Sequence, residues 1–531
     1  MPAHSPGPLP PRASRLASCV LQVGLLSAIV VVGFQRSFDL DRFFVPKELV
    51  LHATAALAGA LVLVRVRRVS FTWVDLAVLG FLVASALSAA LATNPWVAGR
   101  ALALSLSGAT VFWATRALHD DGLADRLLGT AAVAVVLAAV TALLQAYGLT
   151  SAFFATERAP GGTLANRNFV GHLAAFGLPL LLLPALRARR WTTVLQCIAG
   201  VVLVVGILVL TRSRAAWLAA AAVLAVLTLG LLLAPALRRW ALVGRLVLVL
   251  AAVAGGGALA TLLPNALDWR SDTPYLETAQ GVLNYREGSG RGRLLQYQRS
   301  LALVRAAPVL GVGPGNWAVA YPGVAPAGDP SLSGSQAGMT SNPWPSSDAV
   351  ALVSERGVLG AVLGVLFAGG LLLTAVRTLR RDHDATAAAR AVLLLSMGTG
   401  LAVAGAFDAV LLLAWPVLLA ATVAGATFSD SHASHVAVPR WLKVTTVALL
   451  VVLSGVSTVR SAGQWAAMQA YEADESRAAL ERAAAGDPGN YRLHLRLAQR
   501  TRGADRCPYA LAAAGLFPHA EAAQRLAARC E

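Results

Sequence analysis

Four stretches of this chain place polar residues beside apolar runs: "GTLANRNFVGH" (162–172), "LTRSRAAW" (210–217), "GRGRLLQYQRSLALVRAAPVLGVGPGNW" (290–317) and "NPWPSSDAVALVSERGVLG" (342–360). All four carry arginine, whose planar guanidinium holds two oxygens of a phosphate at once. Arg214, Arg291 and Arg293 are the candidate anion binders. The same stretches hold proton acceptors, the carboxylates of Asp348 and Glu355 and the imidazole of His172, with Asn168 and Ser346 as supporting polar groups. An arginine pair that binds a diphosphate, next to a base that takes a hydroxyl proton, is equipment for group transfer with diphosphate as leaving group. Each stretch also has a plainer reading. Asn168 is a helix cap, Arg212 and Arg214 snorkel to headgroups, His172 and His52 pack in the core, and Arg356 pairs with a neighbouring span. The turn "GVGPGNW" offers exposed amides to an anion, a weak signal alone. On a helix starting near Ser347, Asp348 and Glu355 share a face about 10 Å apart.

The elements that position these residues are membrane spans. Hydrophobic residues make up 57% of the chain and charged ones 13%, and apolar runs of about 20 residues recur. The chain therefore reads as an all-α polytopic membrane protein of 12–13 transmembrane helices. The spans fall near 17–34, 48–65, 72–92, 98–117, 125–147, 169–187, 192–210, 215–234, 241–263, 349–375, 387–405, 408–427 and 442–459. The formal charge of +17 does not indicate nucleic acid, because its arginines cluster in short loops: "RVRR" (65–68), "RARR" (187–190), "RR" (238–239), "RTLRR" (377–381) and "PRWLK" (439–443). They occupy every second loop, which marks those loops as cytoplasmic. The segments 35–47, 148–168 and 264–348 and the tail after 460 are then extracytoplasmic, and all four polar stretches open on that side.

Three regions follow: a transmembrane domain at 1–459, a large extracytoplasmic loop at 264–348 within it, and a helical tail at 460–531. In the loop, Leu294, Tyr297, Leu301 and Val304 recur at helical spacing, so that helix lies on the membrane surface or on the bundle mouth. In the tail, "AAAGDPGNYRLHLRLAQR" ends one helix, turns at Asp487-Pro488-Gly489 and starts another, compatible with a tetratricopeptide-like hairpin. Cys507 and Cys530 lie in this tail and can pair if it faces an oxidising compartment; Cys19 and Cys197 lie in or beside spans as small hydrophobes. Cys19 precedes its apolar run, unlike a lipoprotein cleavage site, so residues 16–34 read as an uncleaved span.

The order of motifs over about 150–375 resembles the O-antigen ligase and polymerase family of bacterial cell envelopes. The resemblance rests on Gly161 to Asn168, on Ser213-Arg214-Ala215-Ala216, on Arg293 with Tyr297 and "PVLGVGPGNW", and on Glu355, Gly357 and Gly360. It implies an inverting, metal-independent glycosyltransferase with no cofactor, at the outer face of the bacterial inner membrane. The donor would be a polyprenyl-diphosphate-linked glycan and the acceptor a glycan, a lipid or a protein, with Arg214 and Arg293 on the diphosphate. The family commonly has a histidine nine residues before the glutamate, where this chain has Ser346. Asp348, His172 or His52 then stands in as base, or transfer activity is lost. Ligase and polymerase are both open. Two other classes compete: a non-catalytic lipid-carrier binding or transport protein, and a scaffold whose tail recruits envelope-assembly partners.

Overall fold

The computed structural model describes residues 11–38, 40–65, 71–154, 158–237, 241–282, 284, 287–381, 384–428, 439–474 and 476–530. Arg67, Arg68, Arg238 and Arg239, which entered the topology argument, lie outside the described residues. The fold is all-helical, and twelve described helices are long and apolar enough to cross a membrane. Local chemistry starts several of them. Thr72 and Asp75 form a capping box at the third span, and Asn94 caps the fourth ahead of Pro95 at its first position. At 167–177 the cap is Asn166, which accepts from the Asn168 amide at 2.9 Å; Asn168 itself is inside the helix.

The twelfth expected span, 408–427, starts with an irregular segment, 408–413. Only Ala414–Thr427 is helical, 14 residues, which at 1.5 Å per residue reaches about 21 Å of the roughly 30 Å hydrocarbon thickness. The Asp348 carboxylate holds the irregular segment, accepting from the amides of Val410 (2.9 Å) and Leu411 (3.0 Å). At the other extreme, Arg440–Ala473 runs unbroken for 34 residues, past the expected span end at 459.

Alternate loops gather at opposite ends of the bundle. At one end Asn94 meets Asn316, Arg42 reaches the Ala152 carbonyl and Arg212 reaches Thr278. At the other, Arg116 pairs with Asp75 and Arg390 with Asp125. The first end carries all four polar stretches.

The tenth span, Asp348–Arg381, is broken at Gly357, whose φ is 64° and ψ −173°. The "PVLGVG" segment repairs the break. The amides of Val312 and Gly313 donate to the Ser354 and Glu355 carbonyls (3.0 and 2.9 Å), and Val358 and Leu359 donate to the Pro308 and Val309 carbonyls (2.8 and 3.3 Å). A methyl group on Gly357 would overlap the Val309 carbonyl, and one on Gly311 would overlap the backbone of Glu355. The two glycine motifs of the sequence are thus one interlock, whose four backbone bonds stand in for helical ones lost at the break.

The tail does not stand apart as a free arm. Leu480, Ala483, Leu493 and Leu497 pack with Phe38 and Val45 near the first loop, and the Asn94 side chain donates to the Leu516 carbonyl at 3.3 Å. Its helices Arg477–Gly486 and Tyr491–Arg500 are joined by the expected turn, with Asn490 capping the second. A second pair, Cys507–Leu516 and Glu521–Ala527, is closed by the Cys507–Cys530 disulfide, Cα to Cα 5.5 Å.

Candidate functional site

Glu355 and Arg356 are both buried, and their work is structural. The Glu355 carboxylate accepts from the amides of Gly315 (2.8 Å) and Trp317 (3.4 Å), and Arg356 lies 3.6 Å from it while donating to Ser85 at 3.2 Å. The amides of "GVGPGNW" therefore do meet an anion, but it is the chain's own carboxylate and not a ligand. The spacing that put Asp348 and Glu355 on one face does not produce a carboxylate pair, because each has its own backbone partners, Glu355 in the glycine turn and Asp348 in the 410–411 segment. Beside this frame the loop adds a second anchored group. Asp329 accepts from Arg299, from the Tyr321 hydroxyl (3.0 Å) and from the Ser331 amide (2.7 Å). Burial pushes the Asp329 carboxyl up, but the Ser331 amide, Arg299 and Tyr321 together hold it below the usual carboxylate range.

The groups left over gather where the sixth span, the tenth and eleventh spans and the helix Gly288–Ala306 meet. His172 is 1% exposed, and neither ring nitrogen has a hydrogen-bond partner among the described residues. The charged groups that act on its ring are Asp408 and Arg293. Asp408 also accepts from the Asn168 side chain at 3.4 Å, one helical turn before His172. Arg293 has no hydrogen bond or ion pair with a described residue. Tyr297, one turn along the same helix, donates to the carbonyls of Ser346 (2.7 Å) and Ala406 (2.9 Å), and the Ser346 amide donates to Gln296 at 2.6 Å. Ser346 is thus held by its backbone, and Asp348 has both oxygens on backbone amides.

A second arginine group adjoins the start of the eighth span, Arg214–Leu233. Arg214 donates to the carbonyls of Gly281 and Asn284, both at 2.9 Å, which ties the large loop to that span. Arg212, at a left-handed φ of 51°, bonds Thr278 and lies 3.5 Å from Glu277. The guanidinium groups of Arg167 and Arg212 both lie over the Trp269 ring, at 4.8 and 4.9 Å.

The structure brings His172, Asn168, Arg293 and Ser346 to one mouth, with Asp348 beside them through Asp408. It does not bring Arg291, which is exposed on the opposite side of its helix from Arg293, nor His52, whose ring bonds Ser107 at 2.8 Å elsewhere in the bundle. Asp408 was missed from sequence because it looks like the polar start of a span, and Trp269 because a lone aromatic in a loop carries no signal. No cluster of three metal-ligating side chains occurs among the described residues.

A cavity of about 580 Å³ opens beside this mouth between the third, fourth, tenth and eleventh spans and the short helix. Its lining is apolar apart from Ser105, Asp348 and Arg356.

No curated protein matches the chain. Residues 199–365 match the family model described as O-Antigen ligase, a stretch that contains Arg214, Arg293, the glycine interlock and Glu355 but neither His172 nor Asp408. Over that stretch, less than half of the chain, the protein is similar to the O-antigen ligase family.

Proposed function

We propose that this protein is a membrane glycosyltransferase that moves a glycan from a polyprenyl diphosphate carrier to an acceptor hydroxyl at the extracytoplasmic face of a bacterial inner membrane. The observation that carries this reading is Arg293, a guanidinium without an ionic partner among the described residues, near a buried imidazole, His172, whose two nitrogens are unbonded among the same residues, beside a ligase-family domain. The acceptor oxygen attacks the anomeric carbon, the bond from that carbon to the phosphate oxygen breaks, and the electron pair leaves with the diphosphate. Configuration inverts. Arg293 stabilises the charge that develops on the leaving group, and Arg214, bonded to the Gly281 and Asn284 carbonyls, holds the large loop against the eighth span. His172 takes the hydroxyl proton, and Asp408 balances the imidazolium that results. Asp348, whose oxygens already serve the Val410 and Leu411 amides, positions Asp408 and the irregular segment. Envelope-assembly partners recruited through tetratricopeptide-like hairpins of the tail belong to this same reading.

Deleting the gene and examining the carrier-linked glycans tests it. Accumulated polymer on the carrier identifies a ligase and accumulated single repeat units a polymerase; unchanged glycans overturn the proposal. Complementation with Arg293→Ala should fail. His172→Ala should lower transfer by about 10² to 10⁴, the usual worth of a general base, while leaving donor binding intact. Full activity of His172→Ala would remove the imidazole from the mechanism.

A further inference from the structure

The helix Gly288–Ala306, which carries Arg293, has one side that neither the bundle nor the loop covers. Counting about 100° per residue from Gln296 places its contacts around the axis. Gln296, Ser300 and Leu303 lie within about 60° of one another and are buried against the loop, Gln296 on Ser331 and Ser300 on Trp317. Arg293, Tyr297 and Val304 follow at about 60–100° and face the bundle, as the Tyr297 bond to Ala406 and the action of Arg293 on His172 record. Leu294 and Leu301 come next, at about 140–160°, and are 52% and 50% exposed. Last come Arg305, Gln298 and Arg291 at about 180–220°, all exposed.

The helix is tied to the bundle at two places. Its middle touches the end of the eleventh span at Ala406, and just past its C-terminus Pro308 and Val309 bond the amides of Val358 and Leu359 in the tenth span. These ties hold it at the mouth. Val309 (62% exposed) and Val358 (52% exposed) add uncovered apolar surface on the segment that follows it and on the tenth span. Arg291 and Arg305 are about 21 Å apart along the helix axis.

We propose that Gly288–Ala306 is an interfacial helix whose uncovered side is occupied by phospholipid of the extracytoplasmic leaflet, with Leu294 and Leu301 at the acyl boundary and Arg291 and Arg305 on anionic headgroups. This assigns Arg291 to lipid and leaves Arg293 for the mouth. It also makes the placement of Arg293 depend on the leaflet. The inference is independent of the transfer reading, because it concerns the opposite side of the helix.

The test uses the full chain in nanodiscs, with Cys19 replaced by serine and an environment-sensitive fluorophore on Leu294→Cys or Leu301→Cys, and on Gln336→Cys as an exposed loop control. Labels at 294 and 301 should be quenched several-fold more by nitroxide lipid than by aqueous iodide, and the label at 336 the reverse. Equal iodide quenching at all three sites overturns the proposal. Changing phosphatidylcholine for a mixture with phosphatidylglycerol should deepen the label at 301, and Arg291→Gln with Arg305→Gln should abolish that change. Its persistence in the double variant overturns the headgroup assignment.

Discussion

Replacing Glu355 with alanine tests the central frame directly. The carboxylate, 1% exposed, satisfies the amides of Gly315 and Trp317 and stands 3.6 Å from Arg356, itself 4% exposed. Leaving two buried amides without an acceptor costs about 1–3 kcal/mol each. Stranding a buried arginine without its partner costs about 3–5 kcal/mol when nothing relaxes. These losses overlap, because Arg356 keeps its bonds to Ser85 and Ser105. A fall of about 3 kcal/mol in the local opening energy of the 311–317 turn is the conservative figure. At 1.4 kcal/mol per factor of ten, the turn amides should exchange with solvent deuterium more than about 100-fold faster than in the parent. Glu355→Gln keeps one acceptor oxygen but not the charge, so its effect should fall between the two. Hydrogen exchange read by mass spectrometry on the peptide covering Gly311 to Trp317 supplies the measurement, with the Gln464 to Asp487 contact as a distant reference. If the turn exchanges in Glu355→Ala as slowly as in the parent, the carboxylate does not hold it and the interlock described above is wrong.

Gly357→Ala should be more damaging than its size suggests, because the residue sits at φ 64° and its methyl would enter the Val309 carbonyl; strain alone is about 1–3 kcal/mol, and yield of monodisperse protein in detergent should drop well below that of Gly369→Ala, which meets open space. The depressed pKa of Asp329 means that its contribution to the loop is complete above the ordinary value of 3.8 and is lost as pH falls through the lower folded value; Trp317 fluorescence should follow this loss, and Asp329→Asn should flatten the profile at a lower overall stability. Opening the Cys507–Cys530 bridge, which closes a separation of 23 residues, should cost the last helix pair about 3 kcal/mol, visible as faster proteolysis between 507 and 530 after Cys507→Ser or reduction, with the Arg477–Gly486 helix unaffected.

Hydropathy alone was enough for the fold class. A run of about 20 apolar residues has few solutions but a spanning helix, so the twelve long helices and the alternation of loops between two ends were legible from composition and arginine placement. The short helix after Asp408 was not legible, because apolar residues in an irregular segment look like a span until a carboxylate from elsewhere, Asp348, is seen to hold their amides. The length of the last span, Arg440–Ala473, was hidden for the opposite reason: its polar second half reads as a tail, yet it stays helical because the tail packs back on it and on the first loop.

At the site, sequence determined which residue types were available: arginines at the mouth, an imidazole in the sixth span, and a serine where the family commonly has histidine. Tertiary structure decided which of them are committed. Glu355 is used by the glycine turn, Asp348 by the 410–411 amides and Arg214 by loop carbonyls, while among the described residues Arg293 and His172 are left without hydrogen bonds, near Asp408. The reason is physical. Hydrogen-bond capacity is a property of a residue and can be read from its letter, whereas its consumption depends on backbone groups up to hundreds of residues away that only the folded chain brings within reach.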